Sequence, residues 1–258
     1  MGVRRTDAPD PALHGFTGSG VDWAPLAEQV AGEWVAPDLL GHGGCSYADP
    51  ARYAFAAQAA DVEALRAALG WERPLLVGYS FGARLALAAL ARDPSAYAGA
   101  VLIGGTAGIP DPVRRACRLA DDRVRADVLR HVGAPAFLSS WARRPLLATQ
   151  ARIQSADRTR MAGARGLHSA EGLALSLRGA GTGSMPSLWE DLAQITTPTL
   201  LLCGAEDPKF CGLGRDLARA LPAATCVTIP AAGHCAHLEA PQASAAAVGE
   251  FLSSLESR

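Results

Sequence analysis

The chain has 258 residues, 49% of them hydrophobic and 19% charged, enough for one sizeable α/β domain with a lid and too apolar for a disordered polypeptide. A net charge of −1 points to neither nucleic acid nor a membrane surface as partner, and no apolar run is long enough to span a bilayer. Six cysteines show no Cys-x-x-Cys pair and no zinc spacing, so reduced thiols in a cytoplasmic protein without a bound metal are expected.

In chain order, Met1–Asp7 lacks the apolar centre of a secretory signal, so nothing in it marks export. Asp7–Pro11 is hostile to a strand, because two prolines remove ladder donors and aspartate disfavours the pleat. The sheet is therefore expected to lack its first edge strands, unless its start is placed elsewhere. Leu13 to Gly20 reads as a strand end opening into a glycine-rich loop, Asp22–Val30 as a capped helix and Glu33–Asp38 as a strand. Pro50–Leu69 carries apolar residues at helical spacing and stops at Gly70. Pro74–Val77 reads as a strand, and Gly99–Gly105, Pro198–Gly204 and Ala224–Pro230 read as buried-type strands, the first of these stopped by its glycines. Helices are expected over 83–90, 212–221 and 241–255. That alternation implies parallel strands with crossover helices on both faces.

Between Thr106 and Ser187 the strand pattern disappears, and Arg, Ala and Leu take over. This stretch holds thirteen arginines against six acidic residues, so it is strongly cationic within a nearly neutral chain. It reads as a helical lid inserted between two strands. The core is then 1–105 together with 188–258, and the lid is 106–187.

Gly78-Tyr79-Ser80-Phe81-Gly82 is the most informative stretch. A strand leads into it and a helix leads out, the context in which Gly-x-Ser-x-Gly means a nucleophile elbow. A serine needs a histidine to take its proton, and the histidine needs an acid to fix its tautomer. Asp207 and His234 each follow a predicted strand, in the order Ser, Asp, His that such sheets use. Glu206 is the alternative acid and His237 the alternative base. The backbone N–H groups of Phe16 and Phe81 are the candidates for an oxyanion hole, with His14 bracing the loop.

The order His14-Gly15, Ser80, Asp207, His234 resembles the α/β-hydrolase fold, a mostly parallel sheet flanked by helices. Four segments are similar to one branch of it, the 2-succinyl-6-hydroxy-2,4-cyclohexadiene-1-carboxylate synthases: Asp38–Gly43, Gly78–Arg84, Cys203–Phe210 and Gly233–Pro241. Asp207-x-Lys209-Phe210 and the arginine four residues after the serine are the more discriminating features. The resemblance implies a lyase of menaquinone biosynthesis that expels pyruvate from an enolpyruvyl adduct with no metal or organic cofactor. Its substrate is a small polyanion, for which arginine forks are well matched. It also implies substrate-binding roles for Arg84, Arg118, Arg165, Tyr79 and Trp141, although a solvated helix face is the other reading of each lid arginine. A hydrolase acting on an ester, or on a carbon–carbon bond beside a ketone, would use the same three residues. A non-catalytic receptor on the same scaffold is opposed by the intact Ser, Asp and His.

Overall fold

A computed structural model describes residues 9–257. Six strands form one parallel sheet in the order β2-β1-β3-β4-β5-β6: β1 (Asp10–Leu13), β2 (Trp34–Val35), β3 (Leu75–Tyr79), β4 (Gly99–Ile103), β5 (Thr199–Gly204) and β6 (Ala224–Ile229). Strands β3 to β5 are buried along their whole length, which is why they read as unbroken apolar runs and not as alternating ones. The chain leaves β1 toward β2 on one side and returns through β3 on the other. The loops after β1 and β3 therefore diverge at a switch point, where open α/β sheets form their ligand crevice.

The main helices of the sheet are α1 (Ala24–Ala27), α2 (Phe55–Ala68) and α3 (Phe81–Arg92) before the insertion. Between β4 and β5 lie α4 (Pro112–Val132), α5 (Ala134–Ala142), α6 (Ser155–Arg165) and α7 (Ala170–Ala180). After β5 come α8 (Pro208–Ala220), α9 (Ala236–Glu239) and α10 (Pro241–Glu256). One apolar cluster fills each face of the sheet. The inserted helices have a smaller core of their own around Leu129, Phe137, Leu173 and Leu177, against which Phe16 and Trp141 pack. Among the described residues no helix is long and apolar enough to cross a membrane.

Three expectations need correction. The Asp7–Pro11 stretch, judged hostile to a strand, contributes Asp10 and Pro11 to β1, although Met1–Ala8 lie outside the described residues. Asp10 makes this possible. Its N–H donates to Glu33 on the β2 side (2.8 Å), and its carboxylate accepts the Leu75 N–H on the β3 side (3.0 Å). A side chain thus takes the place of the ladder where Pro11 has no donor. The helix expected over 22–30 is shorter, a 3₁₀ turn at Gly20–Trp23 running into the single turn of α1. Helix α8 begins at Pro208 and not near 212, because Asp207 caps it: Oδ1 accepts the Phe210 N–H (3.1 Å) and proline suits the first turn.

Helix α3 crosses β1 so closely that a Cβ at Gly82 would lie 1.9 Å from the Leu13 carbonyl oxygen. Only glycine fits there without moving backbone. Gly82→Ala is expected to lower unfolding free energy by about 2–3 kcal/mol. Gly163→Ala, in an exposed helix with open space around it, is expected to raise it by about 0.5–1 kcal/mol. Urea denaturation of both variants checks the contrast.

Candidate active site

Ser80 sits between β3 and α3 at φ +49° and ψ −98°, a strained conformation for a residue with a side chain. Two backbone bonds hold it: the Ser80 N–H donates to Ile103 (2.8 Å), and the Gly82 N–H donates to His14 (3.0 Å). The strain aims Oγ away from the sheet edge toward the loop after β6. There His234 Nε2 lies 3.0 Å from Ser80 Oγ. On the other side of the ring, His234 Nδ1 donates to Asp207 Oδ2 at 2.8 Å. With the proton fixed on Nδ1, Nε2 is left to accept from the serine hydroxyl. Asp207 and His234 are both buried.

The imidazole is held from several directions. Tyr79 and Phe210 wall it, with ring centroids 5.3 and 4.3 Å away. Gly104, at φ +58°, passes so near that a Cβ would stand 2.9 Å from Cε1. The backbone on either side is tied to one carboxylate, since Gly233 N–H (2.7 Å) and Cys235 N–H (3.2 Å) both donate to Glu239. Thr149, from the inserted segment, donates to the same group at 3.0 Å. The sequence analysis gave Glu239 no role. Its signal was the Gly-His-x-x-His-x-Glu-x-Pro spacing, which puts this carboxylate five residues after His234, one helical turn past Cys235.

The two proposed oxyanion donors flank Ser80. Phe81 opens α3, so its N–H belongs to the first turn, which has no intrahelical acceptor. Phe16 lies in a turn closed by Gly18 N–H to Gly15 (2.9 Å), with Thr17 at φ +66°. His14 braces this loop as expected. Its Nε2 accepts from Leu39 N–H (2.9 Å), so the proton is on Nδ1 and goes to Gly15 O (2.8 Å). Burial pushes its pKa down to about 4, which keeps the ring neutral.

A cavity of about 200 Å³ opens over Ser80 and His234, between the sheet and the insertion. Arg84, Arg118, Arg125, Arg144 and Lys209 line it, and no carboxylate is among its lining residues. Asp122, fully buried beneath, accepts from Arg118 (2.8 Å), Arg125 (3.0 Å) and the Gly183 N–H (3.1 Å), and so aims two of the cations. Arg84 is buried, donates to Ala180 O at 2.8 Å and stacks over Phe81. No described carboxylate lies within ion-pair distance of it. Burial, then the neighbouring Arg118 charge, pushes its pKa down to about 9. Burial and the other cations also lower Arg144 and Lys209. One buried carboxylate thus answers Arg118 and Arg125, while Arg84, Arg144 and Lys209 face the cavity without a described ion-pair partner, which leaves a net positive wall for an anion.

Among the expected binding residues, Arg84, Arg118, Tyr79 and Trp141 all line this cavity. Arg165 does not. Its Nε donates to Thr17 O (3.2 Å), and its side chain lines a narrower adjoining space of about 30 Å³ reached past Phe16, Tyr79 and Trp141. Arg125 and Arg144 were missed as pocket residues, because an arginine-rich insertion gives no sign of which charges turn inward. Lys209 was noted as part of a motif but given no place in the pocket. The two alternatives to the Ser–His–Asp set lie elsewhere. Glu206 pairs with Arg152 on the surface, and His237 is stacked on Trp23 (4.5 Å) with neither nitrogen bonded.

The family model described as alpha/beta hydrolase fold matches residues 12–241. A 2-succinyl-6-hydroxy-2,4-cyclohexadiene-1-carboxylate synthase of Serratia proteamaculans is 34% identical, over 93% of this chain and 91% of its own length. A Bacillus subtilis protein bearing the provisional name of the same synthase is 36% identical, over 94% and 89%. The solved structure of MenH from S. aureus superposes with a TM-score of 0.90 at 27% identity, covering 98% of this chain and 96% of that one. A thermophilic esterase from Thermogutta terrifontis, at 23% identity and a TM-score of 0.76, shares the fold.

Burial pushes the His237 pKa down to about 3. Between that value and the ordinary 6.5, the unfolded chain holds a proton that the folded chain lacks. Stability therefore falls as pH drops through this window, by about 1.4 kcal/mol per unit for this group. Buried Asp22, raised to about 6, opposes part of the loss, because its folded form is the one that gains the proton. His237→Phe is expected to flatten the fall in stability between pH 6.5 and 3 and to leave Ser80 as reactive toward a fluorophosphonate as before. Denaturation across that pH range and labelling kinetics check both.

Proposed function

This chain belongs to the alpha/beta hydrolase fold family and within it to the 2-succinyl-6-hydroxy-2,4-cyclohexadiene-1-carboxylate synthases, and on that premise we propose that it is a lyase expelling pyruvate from 2-succinyl-5-enolpyruvyl-6-hydroxy-3-cyclohexene-1-carboxylate to give the compound for which those enzymes are named. The observation that carries the reading is a cavity with five cations and no carboxylate, centred on a serine hydroxyl 3.0 Å from a buried histidine. A neutral ester has no use for that charge. A substrate with several carboxylates does, and its binding would relieve the desolvation of Arg84.

In this reading Ser80, His234 and Asp207 form a catalytic triad. His234, oriented by Asp207, takes the Ser80 proton, and the alkoxide removes a proton from the carbon beside the succinyl ketone. The electron pair of that C–H bond moves through the ring, a new double bond forms and the bond from the ring carbon to the enolpyruvyl oxygen breaks. The departing enolate takes the proton held by His234 at its methylene carbon and leaves as pyruvate, while Ser80 keeps the proton it abstracted. The Phe16 and Phe81 amides stabilise the negative charge that develops on the ketone oxygen. Arg84, Arg118 and their neighbours hold the carboxylates and fix the reacting carbon over Oγ. Residues 106–187 act as a lid over a core made of the rest, with Trp141 and Phe16 meeting edge to face (5.3 Å) where the two adjoin. Neither a metal nor an organic cofactor takes part in the sequence of steps. Hydrolysis of an ester, or of a carbon–carbon bond beside a ketone, is the second reading, since the same hydroxyl could attack carbon in place of hydrogen.

Pyruvate release from the enolpyruvyl adduct, measured beside a panel of nitrophenyl esters, separates the two. Release is expected to be much the faster, and Ser80→Ala is expected to cost a factor on the order of 10³ or more. Rapid ester turnover with no pyruvate would overturn the lyase reading. Arg84→Met is expected to raise KM for the anionic substrate roughly 10–100-fold, about 1.4–2.8 kcal/mol, while hardly changing the rate with a neutral ester.

A further inference from the structure

His168 lies between α6 and α7 in the inserted segment, yet both its ring nitrogens bond to loops of the sheet. Nδ1 accepts the Gly43 N–H at 2.8 Å, so the ring proton is on Nε2, which donates to the Thr17 carbonyl at 3.2 Å. Arg165 Nε donates to the same oxygen at 3.2 Å. Two side chains of the insertion thus occupy one carbonyl of the loop that carries Phe16. Thr17 is buried and holds a positive φ of +66°, a conformation that costs a non-glycine residue about 1 kcal/mol or more and needs outside support.

The grip passes along rigid peptide planes. The Thr17 carbonyl and the Gly18 N–H belong to one peptide unit, and that N–H donates to Gly15 O (2.9 Å). The Gly15 carbonyl and the Phe16 N–H belong to the next unit. Holding Thr17 O therefore orients the peptide whose far end is the Phe16 amide, and each bond in such a chain polarises the next. His168 also packs edge-on against His42 (5.6 Å), whose ring lies 5.6 Å from Phe16 and 6.0 Å from Phe81.

We infer that His168 is a positioning residue: seated in the insertion, it sets the Phe16 amide through the Thr17 carbonyl, so that half of the oxyanion hole is complete only when the insertion is docked. This rests on the triad and oxyanion roles proposed above. It adds a residue that touches neither substrate nor reacting atoms and acts only through loop geometry.

Three readouts on the full-length protein test it: kcat and KM for pyruvate release, the rate of Ser80 phosphonylation by a fluorophosphonate, and hydrogen exchange at the amides of residues 15–18. His168→Ala is expected to lower kcat about 10–100-fold with KM within about threefold, to slow phosphonylation by a similar factor and to speed exchange at 15–18. His168→Asn keeps an acceptor for Gly43 but is too short for Thr17, so it should behave like the alanine variant, and it stands in should that variant not fold. His168→Gln restores a donor at the Nε2 position and should recover most of all three. Unchanged exchange and kcat in the Ala or Asn variant, a loss confined to KM, or no recovery with Gln would overturn the inference. Should the wild-type protein release no pyruvate while exchange at 15–18 still depends on His168, the proposed reaction fails and the positioning role stands.

Discussion

The contact on which the site depends is the crossing of α3 over the end of β1. Gly82 lies against the Leu13 carbonyl and its N–H donates to His14, so the serine elbow and the His14–Gly18 loop are built as one piece. A side chain at 82 would push the two apart and separate the Phe81 amide from the Phe16 amide. The sheet's switch point supplies the crevice, and this crossing sets its dimensions. Ser80's unfavourable backbone angles are tolerated because Ile103 and His14 hold the peptides on either side.

Around this rigid centre the protein places charge in an unusual way. Asp207 divides its oxygens between capping α8 and orienting His234, so the helix and the imidazole share a support. Asp122 plays the corresponding part in the insertion, pointing Arg118 and Arg125 while staying out of the cavity itself. The cavity then has a cationic wall with few internal partners and a fixed hydrogen-bonded base. The two sets of groups share elements: Arg84 lies on α3, one turn after Ser80, and Lys209 lies on α8, the helix that Asp207 caps, while Arg118 and Arg125 come from the insertion.

Much of the site could be read from the chain because its chemistry is local. Gly78 to Gly82 specify the elbow once the strand before and the helix after are seen. Asp207 follows a strand that is an unbroken apolar run, while the strand before His234 is an edge strand with two threonines. Arg84 was legible only through the resemblance to the synthases, since α3 is buried all round from Phe81 to Leu90 and its pattern singles out no face. Long-range pairing was harder to read. Nothing near Pro11 reveals that Asp10 will replace a missing ladder donor with its own carboxylate, because that partner, Leu75, is 65 residues away. In the insertion, thirteen arginines share similar helical surroundings, and only tertiary packing decides that Arg144 faces the cavity while Arg165 turns to Thr17. Glu239 was hidden for a different reason: two of its partners are backbone amides and the third, Thr149, is 90 residues away, so its place in the motif shows no task.

The inserted segment is stitched to the machinery at several points, among them Thr149 on Glu239 behind His234, His168 with Arg165 on Thr17 behind Phe16, and the Ala180 carbonyl on Arg84. It is therefore no exchangeable cap. A chimera that borrowed this segment from a cousin with a different ligand would carry over its recognition surface but lose the stitches, unless these few polar residues travelled with it. New specificities in this scaffold are then more accessible by resurfacing the inward faces of α4 and α5 than by wholesale grafting.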